Sequence, residues 1–214
     1  MKRSQLLKTL TENILQIQHT RPLLVAIDGR DAAGKSILAK ELAENLRRRG
    51  ANVIEASIDG FHNPREYRYK RGRDSPKGYY LDSFNHEILK KQLLDPLKTG
   101  DLRVRLKAFD YTVDEVLESP VVEVQPDVVL VFDGVFSLRP ELRDYWDYSI
   151  YLYVDEEESL RRGLARNQGD EEEAKHRYEV RYIAGQRLYY SEADPLKHAS
   201  IIIDNNDPEN PLIL

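Results

Sequence analysis

The sequence predicts an α/β fold in three layers, a mainly parallel sheet between two layers of helices. Three observations predict it. Short continuous apolar runs such as Leu23-Leu24-Val25-Ala26-Ile27 and Val128-Val129-Leu130-Val131-Phe132 read as strands buried on both faces. Segments of helical periodicity separate these runs, so successive strands need crossover connections. The 214 residues suit one domain with a full core and are tight for two.

The elements follow in order. Leu6, Leu7, Leu10, Ile14 and Ile17 recur at helical spacing, and Arg21-Pro22 ends that helix because proline disfavours helical geometry before it. The strand from Leu23 follows, then a glycine-bearing turn, then a helix with Leu38, Leu42, Ala43 and Leu46 on one side. Arg47, Arg48 and Arg49 sit in its last turn, where cations suit the dipole, and Gly50 stops it. Further on, 52–58 is predicted as a strand, 60–80 as a long polar loop, and 82–94 as a helix capped by Asp82 or Ser83. The alternation in Val-Arg-Leu-Lys-Ala-Phe predicts a hairpin of 104–109 with 121–124, inside an insertion of about 103–125. Strands are expected at 127–132, 149–154 and 200–203. Helices are expected near Pro140, at 157–166 and at roughly 172–190. The acidic runs from Asp155 and Asp170 open helices, where they face the positive end of the dipole.

Composition excludes several function classes. Thirty-two basic against 37 acidic residues give a net charge of −5, without the basic surplus of a general nucleic-acid binder. No cysteine is present, which removes disulfides, thiolate catalysis and Cys-based metal sites. No apolar run approaches the ~20 residues of a membrane helix, and the N-terminus lacks a signal-peptide core. The expectation is a cytoplasmic protein with no nucleic-acid or membrane partner; a homo-oligomer is compatible with the sequence.

Gly29-Arg30-Asp31-Ala32-Ala33-Gly34-Lys35-Ser36 fits G-x-x-x-x-G-K-[ST] at every fixed position, between a buried-type strand and an amphipathic helix. The glycines let backbone approach phosphate, and successive N–H groups with the helix N-terminus form an anion nest. Lys35 is placed to reach the β- and γ-phosphates of a nucleoside triphosphate, and the Ser36 hydroxyl to ligate Mg²⁺. The fold expected is therefore the three-layer α/β/α sandwich of P-loop NTPases. In open α/β sheets ligands sit beyond the carboxyl ends of strands. Asp59 and Asp133 both follow apolar strands there, as a magnesium ligand and an acceptor of a hydroxyl proton would.

With these pieces in place, the sequence resembles the uridine kinase-like group of P-loop kinases, which includes phosphoribulokinases and bacterial pantothenate kinases. The resemblance is carried, in order over about residues 20–205, by 29–36, Ile58-Asp59-Gly60-Phe61-His62, Tyr80-Leu81-Asp82-Ser83-Phe84-Asn85 and Val131-Phe132-Asp133-Gly134-Val135-Phe136. Arg161-Arg162 with Arg166, and the closing Ala199-Ser200-Ile201-Ile202-Ile203-Asp204, complete it. It implies transfer of the ATP γ-phosphoryl group to a hydroxyl of a small molecule, with a nucleoside such as uridine or cytidine as the first acceptor. It also implies Asp59 as base, Ser36 and Asp133 on magnesium, and Asp82 beside the acceptor. Arg162 and Arg166 fall in a helical lid at about 161–180. The family's pyrimidine-reading tyrosine falls at Phe109, and no histidine follows it, so pyrimidine specificity does not follow from the sequence.

Arg65, Arg68, Lys70, Arg71 and Arg73 crowd one loop among tyrosines. A solvated surface, a clamp on a charged acceptor through Arg71 and Arg73, and a single-stranded nucleic-acid contact all fit that pattern. His62, next to the expected base, is a further candidate for lining the site. Other acceptors, or a nucleotide-binding regulatory module that transfers no phosphoryl group, remain alternatives at this level.

Overall fold

The computed structural model describes residues 1–167 and 169–214. Its central sheet contains β1 (Leu23–Gly29), β2 (Val53–Ser57), β3 (Val129–Asp133), β4 (Tyr148–Tyr153), β5 (Ile201–Asp204) and β6 (Leu212–Ile213). Their order across the sheet is β6-β5-β4-β1-β3-β2, parallel throughout except for the β6 edge.

Each central strand feeds two cores because successive side chains point to opposite faces. Leu23, Val25 and Ile27 pack with Leu6 and Leu10 of α1 (Arg3–Leu15) and with Leu38 and Leu42 of α2 (Lys35–Arg48). Leu24 and Ala26 face the opposite core, with Phe61, Tyr79, Phe136 and Tyr189. The three-layer prediction therefore holds, and the apolar runs are continuous because both faces are covered.

Register places the strand ends. Asp133 lies opposite Ile27 of β1 on one side and Ser57 of β2 on the other. The chain leaves β1 for β2 with β3 inserted between them, and β4 flanks β1 on its other side, so the crevice beyond β1 is a topological switch point.

Several boundaries differ from expectation. The polar loop 60–80 contains helices at Arg65–Arg68 and Pro76–Asp82; Ser75 caps the second with Pro76 in its first turn. Asp82 ends that helix rather than capping the next, a role taken by Asn85, whose side chain accepts from the Ile88 N–H. That next helix runs beyond Leu94 to Thr99, because a π-helical turn at Lys90–Leu94 accommodates Pro96, which has no N–H to give. The hairpin is two short ribbons, Arg103–Val104 with Val122–Glu123 and Phe109–Asp110 with Glu115–Val116. The strand breaks between them as the Arg105 and Ala108 N–H groups turn to the carbonyls of Gln92 and Gly60. Near Pro140 only a 3₁₀ turn forms, at Arg143–Tyr145. The last long helix extends from Glu171 to Ala193 through π-helical turns at Tyr178–Ile183.

Candidate active site

The phosphate loop is held by backbone geometry that its sequence permits. At Gly29, φ is +149°, and a Cβ there would lie 2.3 Å from the Leu152 carbonyl oxygen of β4. Only glycine lets β1 and β4 approach this closely before the loop turns. Ala32 takes φ +57° and Gly34 φ +96°, and no side chain caps α2 at Gly34, so its first N–H groups are left to an anion. Lys35 Nζ donates to the carbonyls of Gly29 and Arg30 at 3.0 and 2.7 Å, curled over the loop.

Ser36 Oγ donates to Asp133 Oδ2 at 2.6 Å, joining the start of α2 to the end of β3. Burial pushes the Asp133 carboxyl up, against the Ser36 hydrogen bond and the nearby Lys35 charge. After Asp133 comes Gly134, where a Cβ would meet Ile58 at 2.6 Å; its absence lets the β3 and β2 ends close together. Asp59 follows in the 3₁₀ turn Ile58–Phe61. Its carboxylate is open to cleft water, yet walls on several sides desolvate it and push its pKa up, opposed by Lys35. His62, just past the turn, bonds through Nδ1 with the Asp59 carbonyl at 2.9 Å and lies tilted against the Phe84 and Tyr111 rings at 4.6 and 4.5 Å. Burial pulls the His62 pKa down to about 4, so the imidazole is neutral at pH 7.

These groups share a cavity of about 280 Å³ lined by Asp31, Ala32, Lys35, Ser36, Asp59, His62, Asp133 and Arg166 from the expected set. Gly29, Arg30, Ala33 and Gly34 contribute the loop backbone. The Arg30 side chain points elsewhere, pairing with Glu156 at 3.2 Å under the Tyr190 ring. A second cavity at the loop mouth adds Gly34 beside Lys35, Ser36 and Arg166.

Five expected residues lie outside the cleft. Asp82 is buried and neutralised by Arg71 at 2.7 Å and Lys70 at 3.2 Å, as a buried carboxylate requires, so Asp82 and Arg71 satisfy each other. Arg73 is exposed, and its carbonyl accepts from Arg181. Phe109 is buried behind Arg68, and Tyr111, two residues on, reaches the cleft instead. Arg162 donates to the carbonyls of Asn205 and Asn206 and to Glu158, anchoring its helix to the end of β5.

Arg68 and Tyr69 of the basic loop line the cleft as well, and sequence reasoning missed further lining residues, among them Tyr79, Arg181 and Tyr182. It also missed how two carboxylates, the half-buried Asp31 and the fully buried Asp28, tie the loop to the helices. Asp31 Oδ2 accepts from Tyr79 Oη at 2.6 Å and Gln186 Nε2 at 2.5 Å. Asp28 accepts from the N–H groups of Gly29 and Leu138 and from the Tyr189 hydroxyl, and burial raises its pKa to about 6.

No family model matches the chain. Over 153 residues it is 30% identical to a uridine kinase of Clostridium botulinum strain Langeland, covering 69% of each chain. Over 149 residues it is 30% identical to a pantothenate kinase of Rhizobium rhizogenes, covering 64% of this chain and 44% of that one. A solved structure described as a possible uridine kinase from Bacillus stearothermophilus superposes with a TM-score of 0.74 and 25% identity, over 92% of this chain and 96% of that one.

Proposed function

Since the chain belongs to the uridine kinase-like P-loop kinases and is a small-molecule kinase, we propose that it moves the γ-phosphoryl group of ATP to an acceptor hydroxyl held beside Asp59. One observation carries the reading: a single cleft joins the Lys35–Ser36 phosphate loop, Asp133 and Asp59 with an aromatic wall of His62, Phe84 and Tyr111. The Ser36 hydroxyl and Asp133 carboxylate are hard oxygen donors, fit for a Mg²⁺ that takes its other ligands from phosphates and water. Among the described residues no group of three or more His, Asp or Glu side chains could hold a metal by itself, in keeping with such a shared site. Bound there, magnesium supplies neutralisation of phosphate charge.

The chain's own groups do the rest. The loop N–H groups and Lys35, released from the Gly29 and Arg30 carbonyls, bind and orient the phosphates. Arg166 flanks them from the lid side. Asp59 orients the acceptor hydroxyl and takes its proton, and its raised pKa gives it more proton affinity than an exposed aspartate. A nucleoside acceptor is the second reading, favoured by the His62–Tyr111 ring stack, on which a flat base could lie. The test is ADP release by the whole chain with Mg-ATP against a panel of hydroxylated acceptors. Release that depends on one acceptor supports the reading; slow hydrolysis indifferent to all of them, with a protein partner bound only alongside nucleotide, identifies a regulatory module instead.

A further inference from the structure

Arg68 stands on the acceptor side of the cleft with hydrogen-bond donors unmet. It is 5% exposed, its Nη2 donates to Asp114 Oδ1 at 2.9 Å, and its Nε and Nη1 have no partner among the described residues. The Tyr111 ring covers the guanidinium at 4.8 Å, with Phe109 at 5.9 Å behind. Ring faces attract the cation but supply no acceptor for its N–H groups, and buried donors left unmade are costly. Asp114 compensates the charge only in part, since both its oxygens also accept from the Arg65 N–H, and it is one-third exposed.

The other cleft cations are engaged elsewhere or exposed. Lys35 serves the phosphate loop, and Arg166 stands exposed at that loop's mouth, where water satisfies its donors. Arg181 spends its donors on the carbonyls of Arg68, Arg73 and Ser75, pinning the loop that carries Arg68. Arg68 alone of these four combines deep burial with unmet donors.

We propose that Arg68 is a docking site for an oxyanion carried by the acceptor, so that the kinase phosphorylates a hydroxylated carboxylate or phosphate ester. The identity of the reacting partner rests on the phosphotransfer reading; the anion site does not. Tyr111 is 53% exposed, and rotation of its ring uncovers the guanidinium, exchanging a cation–π contact for charge-assisted hydrogen bonds. The role expected of Arg71, paired with Asp82, and of Arg73, exposed outside the cleft, thus passes to a buried neighbour with donors open.

The test is calorimetric titration of the whole chain with matched probes: pantothenate against pantothenyl alcohol, ribose 5-phosphate against ribose, and uridine as a neutral riboside. At least one anionic probe should bind ten times or more tighter than its neutral twin, and which pair responds separates carboxylate from phosphate. Arg68→Gln should weaken that probe by about ten- to a hundredfold, the loss of one charge-assisted hydrogen bond. Asp114→Asn, which keeps one acceptor oxygen for the Arg65 N–H and removes the carboxylate charge that competes for the guanidinium, should tighten it several-fold. Equal binding of the neutral twins, or binding of uridine alone, overturns the proposal. If Arg68→Gln fails to fold, Asp114→Asn decides, and unchanged or weaker anion affinity overturns it as well. Anion binding through Arg68 without acceptor-dependent ADP release would retain the site and reject the kinase reading. Release driven by uridine, with no anion bound, would do the reverse.

Discussion

Replacing Asp59 by Asn tests the chemical step in isolation. The side chain keeps its shape in the Ile58–Phe61 turn, and the N–H to Ser57 contact and the His62 bond to the Asp59 carbonyl are both backbone features that survive. What is lost is the capacity to take a proton. General-base catalysis contributes about 10²–10⁴-fold, so kcat should fall by that factor, or about 3–5 kcal/mol of barrier. The phosphate loop is untouched, so KM for ATP should stay within about threefold. Desolvation raises the Asp59 pKa above 3.8, and a base acts only when ionised. Wild-type kcat/KM for the acceptor, which reports groups of the free enzyme, should therefore fall with decreasing pH through a midpoint above 3.8, and that acid limb should be missing from the variant. Coupled ADP release with ATP and acceptor each varied, measured across pH, reads all three quantities. Equal losses in kcat and ATP affinity, or an acid limb that persists in Asp59→Asn, would refute the assignment and point to Asp133, whose pKa is also raised.

Other expectations follow from the same contacts. Arg162→Met removes donors to two buried-end carbonyls, so it should lower stability by about 1–3 kcal/mol in urea while changing KM for ATP little; Arg166→Met should do the opposite. Gly29→Ala sets a Cβ against the Leu152 carbonyl oxygen, backbone that cannot swing aside, and should abolish nucleotide binding or folding, as read by thermal shift with an ATP analogue. Asp28, raised to about 6 in the folded chain, binds more protons folded than unfolded between about pH 4 and 6. Its contribution to stability is present below that window and lost as pH rises through 6, on the order of a few kcal/mol; urea midpoints at pH 5 and 8 should converge in Asp28→Asn.

What the sequence made legible was whatever is local and repetitive. Strands β1 and β3 are covered on both faces, so their apolar runs are unbroken, and the phosphate loop writes its geometry into consecutive residues. Asp133 could be placed because it ends such a run, and Asp59 because it stands just past the end of the shorter, half-buried β2. Errors cluster where backbone hydrogen bonds are settled by distant partners. The 104–109 strand alternates as a hairpin should, yet its N–H groups at Arg105 and Ala108 serve a helix and a turn from elsewhere in the chain.

Arginines show why the remainder of the site stayed hidden. Arg68, Arg71, Arg162, Arg166 and Arg181 are equivalent as letters, and each has the same five donors; what separates them is who takes those donors. Arg71 meets a buried Asp82, Arg162 meets the carbonyls of Asn205 and Asn206, and Arg181 meets the carbonyls of the loop beside it. Every one of those partners lies 11 or more residues away, so no local pattern reports it. Arg68 differs by what its surroundings withhold: aromatic rings rather than oxygens face its Nε and Nη1. Nearest-neighbour charge counting would rank Arg71 and Arg73 above it, since both are exposed. Burial reverses that order, because an exposed guanidinium loses nothing by waiting in water, whereas a buried one with open donors gains most from an anion.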